Sequence, residues 1–89
     1  MVLELGGSCG VLKTGMECKT GTNQITVSSP SIQTCSLACA EESKGKEGCC
    51  EYQIDWKKCI FVPGETRLQK DTWNGAVNRH AAQCNIQGA

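Results

Sequence analysis

The cysteine content restricts the fold of this chain more than any other feature, since eight of its 89 residues are cysteine. That is close to the density typical of a short disulfide-stapled domain. A chain of this length has a small core, and it carries only four aromatic residues, Tyr52, Trp56, Phe61 and Trp73, so it needs further stabilisation. Four bridges at about 2–4 kcal/mol each would rival the net stability of a small domain, about 5–15 kcal/mol.

A metal site is the alternative use of so many cysteines. Zinc sites usually combine two short cysteine pairs or a cysteine pair with a histidine pair. Here Cys35-x3-Cys39 has no matching second pair, and His80 is the only histidine. The full spacing is Cys9-x8-Cys18-x16-Cys35-x3-Cys39-x9-Cys49-Cys50-x8-Cys59-x24-Cys84. We therefore predict four disulfide bridges, no free thiol, no metal and no cofactor. Because such bridges persist in oxidising compartments, the spacing also predicts a secreted, extracellular protein.

Charge and hydropathy exclude several partner classes. Nine basic and nine acidic residues cancel, so no strong field favours nucleic acid or anionic lipid. No apolar run is long enough for membrane insertion. The segment Met1–Leu5 is too short for a signal peptide and contains Glu4, so we expect a processed mature form or an excised module. We predict one domain, residues 1–89.

The order of local patterns predicts the fold class. Glycine-rich residues 1–23 predict turns with one or two short strands, and the β-branched alternation in Asn23–Ser28 predicts another strand. Serine and proline caps precede a helix over Ser31–Ser43. Alternating and apolar segments then predict a hairpin over Cys49–Val62, and Asn78–Cys84 fits either a strand or one helical turn. The expected fold is a small disulfide-rich α+β domain, with one helix packed on a short antiparallel sheet.

The predicted helix places Cys35 and Cys39 one turn apart on the same face, so both can bond to the hairpin. The hairpin offers Cys59 and one member of the Cys49-Cys50 pair. Adjacent cysteines cannot easily bond to each other. Strand alternation puts Cys50 on the same face as the aromatic residue two positions later, which favours Cys50 as the core thiol.

These cysteines also carry a resemblance to a known family. A C-x3-C helix, followed by G-C-x-x-aromatic-x-apolar and then C-apolar-aromatic, resembles the PAN/apple domain over about residues 29–64. The matching residues are Cys35, Cys39, Gly48, Cys49, Tyr52, Ile54, Cys59, Ile60 and Phe61.

The resemblance implies particular bridges. It implies Cys39–Cys49 and Cys35–Cys59, and it implies that Cys84 bonds to Cys9 or Cys18. The family has one cysteine where this chain has two, so the choice between Cys49 and Cys50 stays open between the family pattern and strand alternation. The spare member of the pair is expected to bond to whichever of Cys9 and Cys18 remains.

Candidate functional side chains are few. His80 has no nucleophile or acid partner in the sequence, so we interpret it as a surface residue and predict no enzymatic activity. Trp56 lies in the predicted hairpin turn, and its indole either anchors a ligand or folds back onto the core. The expected ligand-binding residues are Asp55, Trp56, Lys57 and Lys58. We predict that Trp73 belongs to the core.

The resemblance implies a binding module that contacts an extracellular protein or a glycan, as a unit of a larger protein or assembly. Two alternatives stay open. One is a free-standing secreted effector, such as a toxin or protease inhibitor, although a neutral chain fits a membrane-active toxin poorly. The other is a structural subunit of an extracellular polymer, which requires self-assembly.

Overall fold

The computed structural model describes residues 9–19, 23–27, 31–70 and 79–85. These segments form β1 (Lys13–Thr14), β2 (Met16–Cys18), β3 (Ile25–Val27), α1 (Ile32–Ser43), β4 (Gly48–Gln53), β5 (Lys58–Pro63), β6 (Leu68–Lys70) and β7 (Arg79–Cys84), with a 3₁₀ turn over Ile54–Trp56. The main sheet is antiparallel, in the order β1-β7-β4-β5-β3, and β2 pairs with β6 in a second small sheet. The predicted small disulfide-rich fold, with one helix and antiparallel sheets, is confirmed.

The helix α1 matches its predicted range to within one residue. It begins after the extended residue Ser31, and it ends because Lys44 and Gly45 both adopt left-handed conformations, with φ of 47° and 87°. The Asn85 side-chain amide donates hydrogen bonds to Ser43 Oγ (2.7 Å) and to the Lys46 carbonyl (2.9 Å). These bonds join the end of the helix to the end of β7.

The predicted hairpin is formed by β4 and β5, and α1 packs on it. Its register places Cys50 opposite Phe61 and Tyr52 opposite Cys59, so these residues share the face towards the helix. The buried core on this side consists of Cys35, Cys39, Cys50, Tyr52, Cys59, Phe61 and Cys84. Bonded cysteines and two aromatic rings therefore make up this core.

All eight cysteines are bonded, as predicted. The bridge Cys35–Cys59 agrees with the family pattern. The implied bridge Cys39–Cys49 is wrong, because Cys39 bonds to Cys50. Alternation along β4 explains the difference, since only Cys50 points towards α1.

The remaining two bridges complete the framework. Cys49 points to the opposite face of the sheet and bonds to Cys18 in β2. Cys84 bonds to Cys9, across a separation of 75 residues. Both pairings lie within the alternatives that the sequence left open.

A second buried cluster lies on the face of the sheet away from the helix. It contains Cys18, Cys49, Ile60, Val62 and Ala81, with Met16 and Leu68 packed against it. The small β2–β6 sheet covers this cluster, so every residue of the central strand β4 is buried. The sequence pattern did not predict β6.

The C-terminal part contains one correction. The segment Asn78–Cys84 becomes the strand β7 from Arg79 onward, and β7 lies inside the sheet between β1 and β4. His80 is therefore buried, with 9% of its surface exposed, and its interpretation as a surface residue is wrong. Trp73 lies outside the described residues. In the segments that the structure describes, no helix has the length and apolar character needed to cross a bilayer.

Candidate binding site at the hairpin turn

The turn between β4 and β5 carries a large, exposed aromatic side chain. Trp56 ends the 3₁₀ turn with 68% of its surface exposed, and Ile54 is 41% exposed. The turn closes because Lys57 adopts a left-handed conformation (φ 50°) and donates its backbone N–H to the Ile54 carbonyl at 3.2 Å. Of the two alternatives for Trp56, the one in which the indole folds back onto the core is therefore wrong.

Three of the four predicted ligand-binding residues lie together on this turn. Asp55, Trp56 and Lys57 are all exposed, whereas Lys58 is half-buried as the first residue of β5. Exposing an indole forfeits the stabilisation that its burial would supply, so an exposed tryptophan marks a candidate contact surface.

Arg79 holds the indole from the side of the sheet. Its guanidinium carbon lies 5.9 Å from the centre of the Trp56 ring, within cation–π range. The same guanidinium forms an ion pair with Glu51, with Nε 3.4 Å from Oε2. The side chain of Arg79 is only 16% exposed, so it connects the exposed ring to a buried carboxylate and restricts the orientation of both.

Glu51 is the buried centre of this network. Its Oε1 accepts the backbone N–H of Cys18 at 2.9 Å, and its Oε2 accepts the side-chain amide N–H of Gln53 at 2.9 Å. The register explains the grouping, because Gln53 lies opposite Lys58 on one side and Arg79 on the other. Glu51 is two residues before Gln53 and therefore shares the face that β2 covers.

These side chains form one wall of a pocket of about 230 Å³, which we call the Glu51 pocket. The lining is predominantly polar. It includes the side chains of Glu17, Gln24, Glu51, Gln53, Gln69 and Arg79. Gln53 is 7% exposed, and its side-chain oxygen Oε1 has no hydrogen-bond donor among the described residues. Its nitrogen is fixed by the Glu51 carboxylate, so the unused group is an acceptor.

His80 lies away from this pocket. It pairs with Tyr52, which pairs with Cys59, so it belongs to the helix-facing side of the sheet. Burial lowers the pKa of His80 below its usual value of 6.5, which keeps the imidazole neutral at neutral pH. Its Nδ1 has no hydrogen-bond partner within the described segments.

Four sulfur atoms form a compact cluster between α1 and the hairpin. The Sγ atoms of Cys35, Cys39, Cys50 and Cys59 lie within 4.8 Å of one another. All four belong to bridges, and metal ions bind the thiolate form of cysteine. Carbonyl oxygens of Glu51 and Ile60 approach these sulfurs at 3.8 and 3.4 Å. Such acceptors would destabilise thiolates, so the cluster suits cross-linking.

The network around Glu51 was not predicted from the sequence. The available signal was the polar half of the alternation in β4, because Glu51 and Gln53 alternate with Cys50 and Tyr52. A strand with one solvated face gives the same pattern, and only the position of β2 shows that these polar residues are buried.

No protein-family model, no curated protein and no solved structure matches this chain.

Proposed function

We propose that this chain is an extracellular binding module of the PAN/apple-like type, which binds an extracellular protein or glycan through the surface around residues 54–58. The observation that carries the proposal is the exposed ring of Trp56, held against Arg79 instead of folded into the core. Rigid aromatic side chains with a polar neighbour are typical binding anchors, because little conformational entropy is lost when they engage a partner.

Three further features support the proposal. Four disulfides are compatible with an extracellular location, and they include the Cys35–Cys59 bridge that the resemblance implies. All cysteines are bonded, so none is a free nucleophile. His80 is on the helix-facing side of the sheet, away from the turn, and has no side-chain partner that would make it a general base in the described part of the chain.

The proposal is tested with Trp56→Ala and a matched control, Leu37→Ala. Leu37 is 70% exposed on α1, so its truncation removes a similar exposed apolar surface from another part of the molecule. The oxidised proteins are screened against immobilised glycans and purified extracellular proteins, and Kd is measured for each ligand that the unmodified chain binds.

Trp56→Ala is expected to weaken binding by about 2 kcal/mol or more, which is about thirtyfold, because central aromatic anchors contribute on this scale. Leu37→Ala is expected to retain the original Kd. Thermal stability should change little in both variants, whereas truncating a buried tryptophan would cost about 3–5 kcal/mol. Equal affinity of Trp56→Ala and the unmodified chain for every ligand would refute the assignment of the turn.

A further inference from the structure

The Glu51 pocket has a composition that identifies a class of ligand. We propose that it seats one neutral, hydroxyl-rich ring, the terminal sugar of a glycan whose next unit contacts Trp56. This inference rests on the proposed function for the role of Trp56, but the pocket itself is a separate site on the face of the sheet that β2 covers.

The size of the pocket limits its occupant. At about 230 Å³ it is smaller than the roughly 300–1,000 Å³ of pockets that hold drug-sized ligands. It therefore admits a single small ring and excludes an extended oligosaccharide or a peptide segment. Any further units of a ligand must lie on the surface outside.

The charges of the pocket favour a neutral ligand. Two carboxylates, Glu17 and Glu51, are balanced by two cations, Lys19 and Arg79. Glu51 is already paired with Arg79, and Glu17 accepts a 2.6 Å hydrogen bond from the amide of Gln69. An anionic or cationic ligand would meet groups of its own sign as readily as groups of the opposite sign, and it would also lose its hydration.

The hydrogen-bonding groups favour hydroxyls. Side-chain amides and carboxylates offer both donors and acceptors, which is what a polyhydroxylated ring requires. Gln53 Oε1 is an acceptor without a donor in the described residues, and a ligand O–H would supply one. This oxygen is shielded from solvent, so the contact requires a small rotation of the Gln53 side chain.

Arg79 links the pocket to the exposed indole. It lines the pocket, pairs with Glu51 and lies over the Trp56 ring. A glycan with its terminal ring in the pocket would therefore pass close to the indole. The apolar face of its next ring can pack there, as sugars do on tryptophan side chains.

The experiment is an NMR titration of the uniformly labelled, oxidised full chain. The probes are four neutral monosaccharides, galactose, glucose, mannose and N-acetylglucosamine, with N-acetylneuraminic acid as the anionic comparison. A single small polar ligand is expected to bind with a Kd on the order of 1 mM. At least one neutral sugar should shift the Gln53 side-chain amide and the Cys18 backbone N–H, and the anionic sugar should bind more weakly.

Gln53→Met keeps the length of the side chain and removes the amide, and it should weaken the sugar by about fivefold or more. Gln33→Met is the matched control on the exposed surface of α1, and it should bind like the unmodified chain. Circular dichroism and thermal unfolding of both variants separate a lost contact from a lost fold. A second variant, Gln53→Glu, keeps the side chain polar and should also weaken the sugar, because it places a second carboxylate beside Glu51.

The outcomes distinguish this inference from the proposed function. Trp56→Ala should leave monosaccharide binding unchanged and weaken only larger glycans. If none of the four neutral sugars shifts the pocket resonances, or if Gln53→Met binds as well as Gln33→Met, the pocket assignment is overturned while the Trp56 result still stands. If the sugars bind the pocket and Trp56→Ala has no effect on any ligand, the pocket assignment holds and the proposed role of the turn fails.

Discussion

Replacement of Gly48 by alanine tests the close packing of β4 against the Phe61 ring of β5. Gly48 is the first residue of β4 and is buried. A Cβ added there would lie 2.5 Å from Phe61 Cε1, closer still to Cζ of the same ring, and 2.8 Å from the Val62 carbonyl oxygen. Carbon atoms in contact are normally about 3.5–4.0 Å apart, so the ring or the backbone must move.

The expected cost follows from what surrounds these atoms. The Phe61 ring is 2% exposed, and Val62 belongs to the strand paired with Gly48's own strand, so neither can yield freely. Overpacking of this kind costs about 1–3 kcal/mol. The loss of glycine's conformational freedom in the unfolded chain returns about 0.4–1 kcal/mol. The middle of the two ranges leaves a net loss of about 1.3 kcal/mol, which corresponds to a Tm lower by about 5–10 °C for a chain of this size.

The assay is thermal and urea unfolding with all bridges intact, and Gly10→Ala is the matched control. A Cβ at Gly10 would lie 3.8 Å from its nearest neighbours, Ala82 Cβ and the Gln83 carbonyl, so this variant should stay within about 0.5 kcal/mol of the unmodified chain. If Gly48→Ala unfolds at the same temperature as Gly10→Ala, the close approach between Gly48 and Phe61 does not constrain the hairpin.

Three further changes test other parts of the framework. Because burial lowers the pKa of His80, the unfolded chain takes up a proton before the folded one as pH falls below about 6.5. Stability should decrease from that pH downward, and His80→Gln should flatten this decrease, whereas an unchanged profile would contradict the shift. Glu51→Gln should lower the free energy of unfolding in urea by about 1.5–3 kcal/mol, because it removes the charged acceptor of the Cys18 N–H and the ion pair with Arg79. A loss below about 0.5 kcal/mol would show that the hydrogen bonds around Glu51 are exposed to water. The double variant Cys9→Ser/Cys84→Ser removes the bridge that joins residues 75 positions apart. Chain entropy predicts that the free energy of unfolding falls by about 4.5 kcal/mol. A decrease of less than about 1 kcal/mol would refute this prediction.

Local pattern was sufficient to predict the helix and the hairpin. The Cys35–Cys39 spacing is encoded within a few residues, and so is the alternation that assigns Cys50 to the core. The structure confirms both, and α1 has the predicted range to within one residue. The family pattern assigned Cys49 instead, and it was wrong because a linear motif does not determine which side chain of a strand points to the helix.

The residues that the sequence did not reveal depend on contacts between distant segments. The short strand β6 has no periodicity of its own and exists because β2 pairs with it. His80 lies beside charged Arg79 and looks like a surface residue, but β7 is inserted between β1 and β4. The burial of Glu51 likewise requires β2, which is 33 residues away along the chain. No window of the sequence contains both partners.

The strand β4 belongs to both the disulfide framework and the candidate site, so the bridges affect the stability of the site. A polar network such as Glu51 with Gln53 costs free energy to bury unless its groups are hydrogen-bonded, and a small apolar core offers little to offset that cost. The bridges from Cys49 and Cys50 leave opposite faces of β4. They attach β2 to one face and α1 to the other without large apolar side chains. These cross-links hold β4 in place together with the hydrogen bonds of Glu51, and the Trp56 ring remains on the surface. Substitutions at the exposed turn should therefore alter binding far more than they alter folding, whereas substitution of the buried Glu51 should affect both.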